Sequence, residues 1–506
     1  MTIAENEKTP VEKLATGMDG FDLISLGGLP KGRTALVSGT AGSAKTVFAA
    51  QFLAEGIRKN ATPGVFVTFE EPPEDIRKNM ISMGWTIAEW EAQGLFCFVD
   101  TSPQVGIDII EAGDFDLGAL LVRIEYAVNK ISAKRISIDS VGAIFSRFAN
   151  TAIIRSELHR LATALKSMGI TALITSERGQ EYGEIARFGV EEFVADNVII
   201  LRNVLEDEKR RRTIEILKFR GAGHQKGEYP FTVLPDRGVV VIPLSAIELK
   251  QHSSKARVTS GNVELDKMCG GGFFRDSLIL VSGATGCGKT LMTAEFINGG
   301  TKNGERCLLL AYEESREQLI RNATGWGIDF EKKEQQGLLR VVCAYPESAG
   351  LEDHLIHMKS EIDHFKPDRL AVDSVTALER VGSRNGFREF IISLASFVKH
   401  QEIPGLFTAT TATLMGGPSI TEAHFSSITD TIILLRYVEM LGEMRRGITV
   451  LKMRGSKHEK DIREFSIDEY GMRIGKPFRN VVGILSGKPE YLSREESNRL
   501  MNMFQD

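Results

Sequence analysis

The sequence offers no cysteine pattern and no long apolar run on which to base a function. Its cysteines are five in number and show no C-x-x-C spacing, so we expect reduced thiols and no cysteine-ligated metal. No apolar stretch approaches the roughly 20 residues that cross a membrane. The first ten residues are polar and lack a signal-peptide core. These absences predict a cytoplasmic protein without a membrane segment.

Length and charge narrow the class further. A chain of 506 residues is too long for one hydrophobic core, and 42% hydrophobic and 25% charged residues are ordinary for a globular protein. The net charge of −5 and the pI near 6.1 give no electrostatic signature for binding nucleic acid. The sequence therefore predicts a globular protein of more than one domain.

One stretch, Gly283–Thr290, matches the phosphate-binding pattern G-x-x-x-x-G-K-[ST] at every fixed position. A strand-type run precedes it and a helix-forming segment, Leu291–Ile297, follows. Such a loop directs backbone N–H groups toward an anion. Lys289 would neutralise the β- and γ-phosphates, and the Thr290 hydroxyl would hold Mg²⁺. A glycine-rich turn with a chance lysine is the alternative. The predicted ATP contacts are Thr285, Gly286, Cys287, Gly288, Lys289, Thr290 and Leu291.

The same stretch occurs earlier, at Gly39–Thr46, and the two threonines are 244 residues apart (290 − 46). Here Ala44 replaces the glycine before the lysine, and its methyl group should crowd the loop and disfavour a positive φ. Other segments recur at a similar offset, which indicates domains at residues 1–247 and 248–506 with a polar linker at Gln251–Thr259. The predicted ATP contacts in the first copy are Gly42, Ser43, Ala44, Lys45, Thr46 and Val47.

Strand-type and helix-type segments alternate in both halves. This alternation predicts an α/β fold of two tandem domains, each a mostly parallel sheet with helices on both faces. Acidic residues follow strands in both copies: Glu70-Glu71 and Glu313-Glu314 after one strand, Asp139 and Asp373 after another.

These acids are candidates for chemistry because the site of an open α/β sheet lies at the carboxyl ends of its strands. We expect each aspartate to organise Mg²⁺ and one glutamate of each pair to act as general base. Aspartates that cap a turn and a solvated acidic turn are the alternatives.

Each half also carries a K-x-R-G motif, which puts two cations on one face of a strand. The motif is too far along the chain from the phosphate loop to be assigned by spacing, and a neighbouring subunit could supply it in trans. An exposed basic strand end is the alternative. The residues are Lys218, Phe219 and Arg220 in the first half and Lys452, Met453 and Arg454 in the second.

Together these features resemble the KaiC family of circadian clock ATPases and autokinases. Beyond the paired glutamates and the K-x-R-G motifs, Gly227–Phe231, Tyr345–Glu352 and Ile428–Thr431 read like that family. The resemblance extends from about Gly17 to about Gly487 and is more specific than the phosphate loops alone.

The resemblance implies two RecA-like domains in a double-ring homohexamer, with ATP between the phosphate loop of one subunit and the K-x-R strand of the next. It implies ATP hydrolysis in the first ring and autophosphorylation in the second, with ATP and Mg²⁺ as cofactors. The phosphoacceptors would be Ser426 and Ser427, where the family more often has Ser-Thr. Glu313 is chosen over Glu314 as base by the resemblance alone. The metal-site residues would be Thr46, Asp139, Thr290, Glu313 and Asp373.

Some matches carry over with an open alternative. Trp326 matches a tryptophan near the adenine, and a core tryptophan is an equal interpretation. Ser82, His224 and Arg446 match nucleotide-proximal positions. The resemblance is compatible with a KaiB-like partner at the first ring, whereas the short segment after Gly487 gives little support for a KaiA-like partner.

Two other functions could use the same fold. A DNA-dependent motor of the recombinase or helicase class would need basic or aromatic loops along a channel, and the only basic run is residues 209–212. A nucleotide-gated scaffold would bind ATP without phosphotransfer. A gel-shift assay tests the first and incubation with γ-labelled ATP tests the second. We predict an ATPase and serine autokinase, with no nucleic-acid partner.

Overall fold

The computed structural model describes residues 11–102, 117–145, 151–189, 191–206, 209–243, 254–411, 428–440, 442–479, 481–484 and 490–491. The chain divides into two compact units, Met1–Ala246 and Ile247–Asp506. Each unit is described by itself below.

The first unit contains a nine-stranded sheet and a two-stranded sheet. Its strands are β1 (Lys13–Leu14), β2 (Leu29–Pro30), β3 (Thr34–Gly39), β4 (Gly64–Thr68), β5 (Phe96–Asp100), β6 (Arg135–Asp139), β7 (Thr171–Glu177), β8 (Asn197–Glu206), β9 (Lys209–Phe219), β10 (Glu228–Leu234) and β11 (Gly238–Val241). Its helices are α1 (Phe21–Ile24), α2 (Lys45–Asn60), α3 (Pro73–Ile81), α4 (Ile87–Ala92), α5 (Leu117–Ile131), α6 (Val141–Phe145), α7 (Thr151–Ser167) and α8 (Glu191–Val194).

The second unit repeats this order. Its strands are β12 (Arg257–Val258), β13 (Phe273–Phe274), β14 (Leu278–Gly283), β15 (Cys307–Ala311), β16 (Leu339–Cys343), β17 (Arg369–Asp373), β18 (Gly405–Thr410), β19 (Thr431–Met440), β20 (Glu443–Met453), β21 (Arg463–Asp468), β22 (Gly471–Pro477), β23 (Val481–Val482) and β24 (Glu490–Tyr491). Its helices are α9 (Val263–Met268), α10 (Lys289–Lys302), α11 (Arg316–Gly325), α12 (Phe330–Gln335), α13 (Leu351–Phe365) and α14 (Arg384–His400), with 3₁₀ turns at Pro346–Ser348 and Val375–Val381.

The strand order of the two large sheets confirms the predicted α/β fold. The first sheet runs β5-β4-β6-β7-β3-β8-β9-β10-β11 and the second runs β16-β15-β17-β18-β14-β19-β20-β21-β22. In each sheet the first six strands of this order are parallel and the last three are antiparallel. The strand before each phosphate loop, β3 or β14, lies at the centre of the sheet. Its loop therefore opens at the carboxyl edge of the parallel part, where α/β sheets bind ligands.

Burial of the central strand explains why both of its faces are apolar. All six residues of β3 are buried. Ala35 and Val37 belong to the core cluster that contains α2, whereas Leu36 belongs to the cluster that contains α5 and α7. Successive strand residues point to opposite faces, so helices cover both faces of this sheet, as predicted.

Two local expectations need correction. The predicted linker Gln251–Thr259 is wrong at its C-terminal end, because Arg257–Val258 pairs with Phe273–Phe274 in an antiparallel ladder. The helix predicted to start at Leu291 begins at Lys289, because Gly288 takes a positive φ and ends the loop. Among the described residues, no helix has both the length and the apolar character that crossing a bilayer requires.

One polar side chain ties each phosphate-loop helix to the antiparallel edge of its sheet. In α2, Gln51 donates to the carbonyls of Arg237 and Val239, both at 3.1 Å, and accepts the N–H of Val239. In α10 the same position is Glu295, which accepts the N–H of Met472 at 2.7 Å and the amide of Asn262 at 3.2 Å. Burial raises the pKa of Glu295 to about 7.

This raised pKa predicts that Glu295→Gln changes stability in a pH-dependent way. The folded-state pKa lies above the ordinary glutamate value of 4.5, so the cost of ionising the buried carboxyl grows as pH rises from 4.5 to 7 and is fully present at pH 8, at ~3 kcal/mol. Glutamine removes that cost but loses the bond from Asn262, ~1 kcal/mol. The variant should be ~2 kcal/mol more stable than wild type at pH 8 and equal to it at pH 5.

Urea unfolding at the two pH values measures this difference. The matched control is Gln51→Glu, which sets a carboxylate against two carbonyls and should lower stability at pH 8. A Glu295→Gln chain whose stability follows pH as the wild type does would refute the assignment of the titrating group.

Candidate functional site

The second phosphate loop, Gly283–Thr290, is closed by its own lysine. Lys289, 7% exposed, donates from Nζ to the carbonyls of Gly283 and Ala284, both at 3.0 Å. Gly286 and Gly288 have φ of +77° and +106°, a conformation that glycine adopts without strain. The loop thus directs backbone groups and the start of α10 toward one point, an arrangement that suits phosphate.

Beside the loop, a threonine and an aspartate meet in each unit. Asp373, at the end of β17, accepts hydrogen bonds from the hydroxyls of Thr290 and Thr408. Burial raises the pKa of Asp373, and these two hydrogen bonds oppose the rise. Asp139 has the same environment, with Thr46 and Thr175.

A hydroxyl and a carboxylate are oxygen donors of the kind that Mg²⁺ prefers. Mg²⁺ usually takes only one or two protein ligands and completes its shell with water and phosphate oxygens. In the described part of the chain no three His, Cys, Asp or Glu side chains cluster as a metal cage. The residues present therefore fit a cation held jointly with a nucleotide.

The two glutamates of each pair have different partners. Glu313 is exposed and accepts the Ser374 hydroxyl at 2.7 Å, which ties it to the residue after Asp373. Glu314 is half-buried and accepts the side-chain amide of Asn322 at 2.9 Å. Burial, with Asp373 and Glu313 nearby, raises the pKa of Glu314. The first glutamate thus lies beside the aspartate and the second lies against α11.

The first unit repeats this division. Glu70 accepts the Ser140 hydroxyl at 2.6 Å, and Glu71 faces the amide of Asn79 at 3.5 Å. Burial and the neighbouring Asp139 raise the pKa of Glu71. The sequence analysis missed Ser140 and Ser374. Both halves keep a serine after the aspartate, so comparing the two copies could have found them.

Lys45 of the first loop is set among acids. Its Nζ donates to the carbonyl of Thr40 at 2.9 Å. Burial lowers the pKa of Lys45, and four carboxylates oppose this shift: Glu177, Asp139, Glu70 and Glu181.

Ala44 adopts the left-handed conformation that its glycine counterpart adopts. Its φ is +70° and its ψ is 28°, and its side chain packs at the margin of the core that contains α2. A left-handed backbone costs a non-glycine residue about 1–2 kcal/mol. The first loop therefore keeps its shape at the expense of stability.

This conformation predicts opposite effects for two reciprocal substitutions. Ala44→Gly relieves the backbone but gains unfolded-state entropy, so the first domain should be stabilised by about 0.5–1 kcal/mol. Gly288→Ala should destabilise the second domain by more than that, because the new Cβ would also lie 3.1 Å from Cδ1 of Ile467. Urea midpoints without nucleotide measure both effects. A loss of stability in Ala44→Gly would contradict the argument.

The K-x-R cations do not lie with the loop of their own domain. Lys452 is level with Ile432 and Leu280, whereas Gly283, where the loop begins, is level with Leu435 and Ile448. Three residues of β14 separate these levels, about 10 Å, and the loop extends further beyond Gly283. Register in the first unit is the same, with Lys218 level with Val198 and Leu36.

At the end of the sheet away from the phosphate loop, the K-x-R cations contact the residues that lead into the neighbouring strand. Lys452 donates to the carbonyl of Thr429 at 2.8 Å, and Arg454 lies 3.9 Å from the carboxylate of Asp430. In the first unit Lys218 donates to the carbonyls of Glu192 and Ala195. Burial lowers the pKa of Lys218 and Lys452.

The remaining predicted residues fall in different places. Trp326 is half-buried against the core and lines a small pocket with Thr290 and Asp373. The guanidinium of Arg446 lies 5.6 Å from the ring of Tyr437. His224 lies edge-on to Phe219 at 5.7 Å, and thus with the K-x-R motif.

Ser82 directly follows α3, and its hydroxyl donates to the carbonyl of Asn79 at 2.8 Å. Its own carbonyl accepts the N–H of Asp236. Among the described residues, no hydrogen bond joins it to a phosphate loop. Ser426 and Ser427 lie outside the described residues, so their role stays a prediction.

Comparison with known proteins agrees with this geometry. The family model "ATPase: KaiC" matches twice, at residues 14–246 and 258–478. "Circadian clock protein KaiC3" of Synechocystis is 65% identical over 502 residues, which cover 99% of each chain. "Circadian clock oscillator protein KaiC" is 56% identical in Thermostichus vulcanus and 55% in Synechococcus elongatus, each over 496 residues that cover 98% of this chain and 95% of the relative. The chain therefore belongs to the KaiC family, as a double-domain ATPase and autokinase of the KaiC type.

Proposed function

We propose that the protein works as a homohexamer in which each ATP lies between the phosphate loop of one subunit and the K-x-R cations of the next. In this proposal the first domain hydrolyses ATP and the second transfers phosphate to Ser426 and Ser427. The activity would serve timing, since the relatives above are named circadian clock proteins. A KaiB-like partner at the first domain is part of the proposal through the family resemblance.

The observation that carries the proposal is the opposed placement of loop and cations. Both domains hold Lys and Arg of the K-x-R motif at the edge of the sheet away from their own loop. A strand is rigid along its length, so these cations cannot reach a nucleotide on that loop. A second copy of the chain can bring its K-x-R edge to the open loop, as arginine fingers supplied in trans do.

The residues at the loop have separate roles in the reaction. Lys289 and the backbone of the loop bind the phosphates, and Thr290 with Asp373 would hold Mg²⁺, which offsets charge on the β- and γ-phosphate oxygens when bound. The Ser374 hydroxyl donates to one oxygen of Glu313. Among the described residues, no hydrogen bond engages its other oxygen, which can take the proton from an attacking hydroxyl.

The phosphate transfer needs no reactant other than ATP and the acceptor serine. The hydroxyl oxygen of the acceptor serine bonds to the γ-phosphorus as the bond from that phosphorus to the bridging oxygen breaks. The electron pair leaves with ADP, and the hydroxyl proton goes to Glu313. In the first domain Glu70 would take the proton of a water molecule in the same geometry.

ATP-dependent assembly tests the proposal. With ATP and Mg²⁺ the chain should elute in gel filtration with light scattering at six times its mass of 55.8 kDa, and removing nucleotide should dissociate it, because a ligand at the interface stabilises the assembled state. Lys452→Ala with Arg454→Ala should weaken assembly. Arg445→Ala is the matched control, since Arg445 is on the same strand but pairs with Glu443 and Glu464. A chain that remains monomeric with and without ATP would refute the proposed hexamer.

A further inference from the structure

Strand β9 carries a second cationic position, Arg212, at the end opposite to its K-x-R motif. Arg212 is level with Asn203 of β8. Strand β8 is level with β3 up to the pair Leu201 and Gly39, so Arg212 lies two residues past the end of β3. This is the level of the first phosphate loop.

Contacts fix Arg212 against that loop. Its Nε donates to the carbonyl of Gly42 at 3.2 Å. Asn203 closes the same side, because a Cβ built on Gly42 would lie 3.2 Å from Nδ2 of Asn203. Within the part of the chain that the structure describes, neither terminal nitrogen of Arg212 has a hydrogen-bond or ion-pair partner. The bond from Nε thus orients the planar guanidinium group of Arg212, and its two terminal nitrogens can donate to a ligand.

The second domain puts an arginine at the same place by a different contact. Arg446 of β20 is level with Tyr437 of β19, as Arg212 of β9 is level with Asn203 of β8. Its guanidinium lies over the Tyr437 ring, and the Tyr437 hydroxyl is 3.0 Å from where a Cβ on Gly286 would be. Gly286 corresponds to Gly42 in the repeat. An arginine thus lies at this level of the sheet in both domains, against Gly42 in the first and over Tyr437 in the second, which indicates a shared requirement for the cation.

Charge at the first loop explains that requirement. Lys45 faces four carboxylates, those of Glu177, Asp139, Glu70 and Glu181. Arg187 lies 3.9 Å from Glu177, and Arg178 interacts with Glu181. Asp139 and Glu70 are left to share Lys45, and two carboxylates beside one lysine would repel the phosphates of a nucleotide. A further cation at the loop offsets this repulsion, and a guanidinium fork can bind two phosphate oxygens at once.

We infer that Arg212 is a nucleotide-phosphate ligand of the first domain, contributed by the same subunit as the phosphate loop. The inference rests on the proposed binding of ATP at this loop. It gives β9 two roles, since Arg212 would bind the subunit's own ATP and Lys218 with Arg220 the neighbour's. Six residues, about 20 Å of strand, would then connect adjacent sites around the ring.

The test uses the full chain with Glu313→Gln and Glu314→Gln, so that phosphate release reports the first domain. In this background Arg212→Gln should raise the KM for ATP by about 10- to 100-fold, the range for losing hydrogen bonds to a charged group. Arg212→Lys should give an intermediate value, because it keeps the charge and loses the fork. Arg211→Gln is the matched control, as it removes the same charge from the adjacent position on the other face of β9.

Two further measurements make the outcome decisive. Radiolabelled ATP retained after gel filtration should fall toward one per chain in Arg212→Gln and remain at two in Arg211→Gln. Without nucleotide, Arg212→Gln should lose no more stability than the single exposed bond to Gly42 contributes, about 1 kcal/mol, whereas a purely structural role would leave the KM equal to that of Arg211→Gln. Equal KM and equal retention in the two variants would overturn the inference. If Lys45→Ala leaves phosphate release unchanged in this background, the proposal that the first domain hydrolyses ATP is wrong. The amount of ATP retained by Arg212→Gln then still tests whether Arg212 binds the nucleotide.

Discussion

A Glu313→Gln chain should incorporate labelled phosphate from γ-labelled ATP at least 100-fold more slowly than the wild type. General-base catalysis contributes about 10²- to 10⁴-fold to proton-transfer reactions, and glutamine cannot take the proton. Glu313 lies beside the residues proposed to hold Mg²⁺, since Ser374, which follows Asp373, donates to it at 2.7 Å. Its exposure leaves it open to an incoming hydroxyl.

Glu314→Gln is the matched control for this prediction. Its carboxylate accepts the Asn322 amide at 2.9 Å and lies against α11. Glutamine can preserve that hydrogen bond through its carbonyl oxygen, so labelling should remain within a few-fold of wild type. Phosphopeptide mapping after the same incubation identifies the acceptors. A Glu313→Gln chain that labels at the wild-type rate would remove Glu313 from the mechanism, and equal losses in both variants would make the pair, not one member, the functional unit.

The phosphate loops and the order of elements could be predicted from the sequence because they depend on local chain order. Gly283–Thr290 follows a buried strand and precedes a helix, so the motif alone placed the phosphate loop between β14 and α10, although the helix begins two residues earlier than predicted. The repeat then supplied the second copy, even though Ala44 breaks the pattern. The alternation of strand-type and helix-type segments was enough to predict a mostly parallel sheet.

Contacts that depend on register could not be predicted in the same way. Lys452 lies level with Leu280 only because β20 returns antiparallel beside β19, and no spacing along the chain gives that. The partner of Glu313 depends on how β15 and β17 end side by side. Position 295 shows a further limit: the sequence gives a glutamate where the first half has Gln51, but only burial shows that its proton is retained near pH 7.

Phosphotransfer is expected to occur between subunits, and the described start of β19 provides the reason. The N–H of Asp430 donates to the carbonyl of Leu278, the first residue of β14, at 3.0 Å. The phosphate loop begins at the other end of this six-residue strand, about 20 Å away. Ser427 and Ser426 precede Asp430 by three and four residues, and four residues of chain extend at most about 14 Å. In-line transfer needs about 3–3.5 Å between the hydroxyl and the phosphorus, which the subunit's own loop does not offer.

Mixed rings test transfer in trans. One chain carries Lys289→Ala and keeps both serines, and the other carries Ser426→Ala with Ser427→Ala and keeps its phosphate loop; a tag separates them by size. Neither chain should label alone. In mixed rings, label should appear on the Lys289→Ala chain, and phosphopeptides should show one serine modified before the other, since two adjacent hydroxyls cannot occupy one attack position at the same time. A Lys289→Ala chain that stays unlabelled in mixed rings, under conditions where the wild type labels well, would show that each subunit phosphorylates itself or that these serines are not the acceptors.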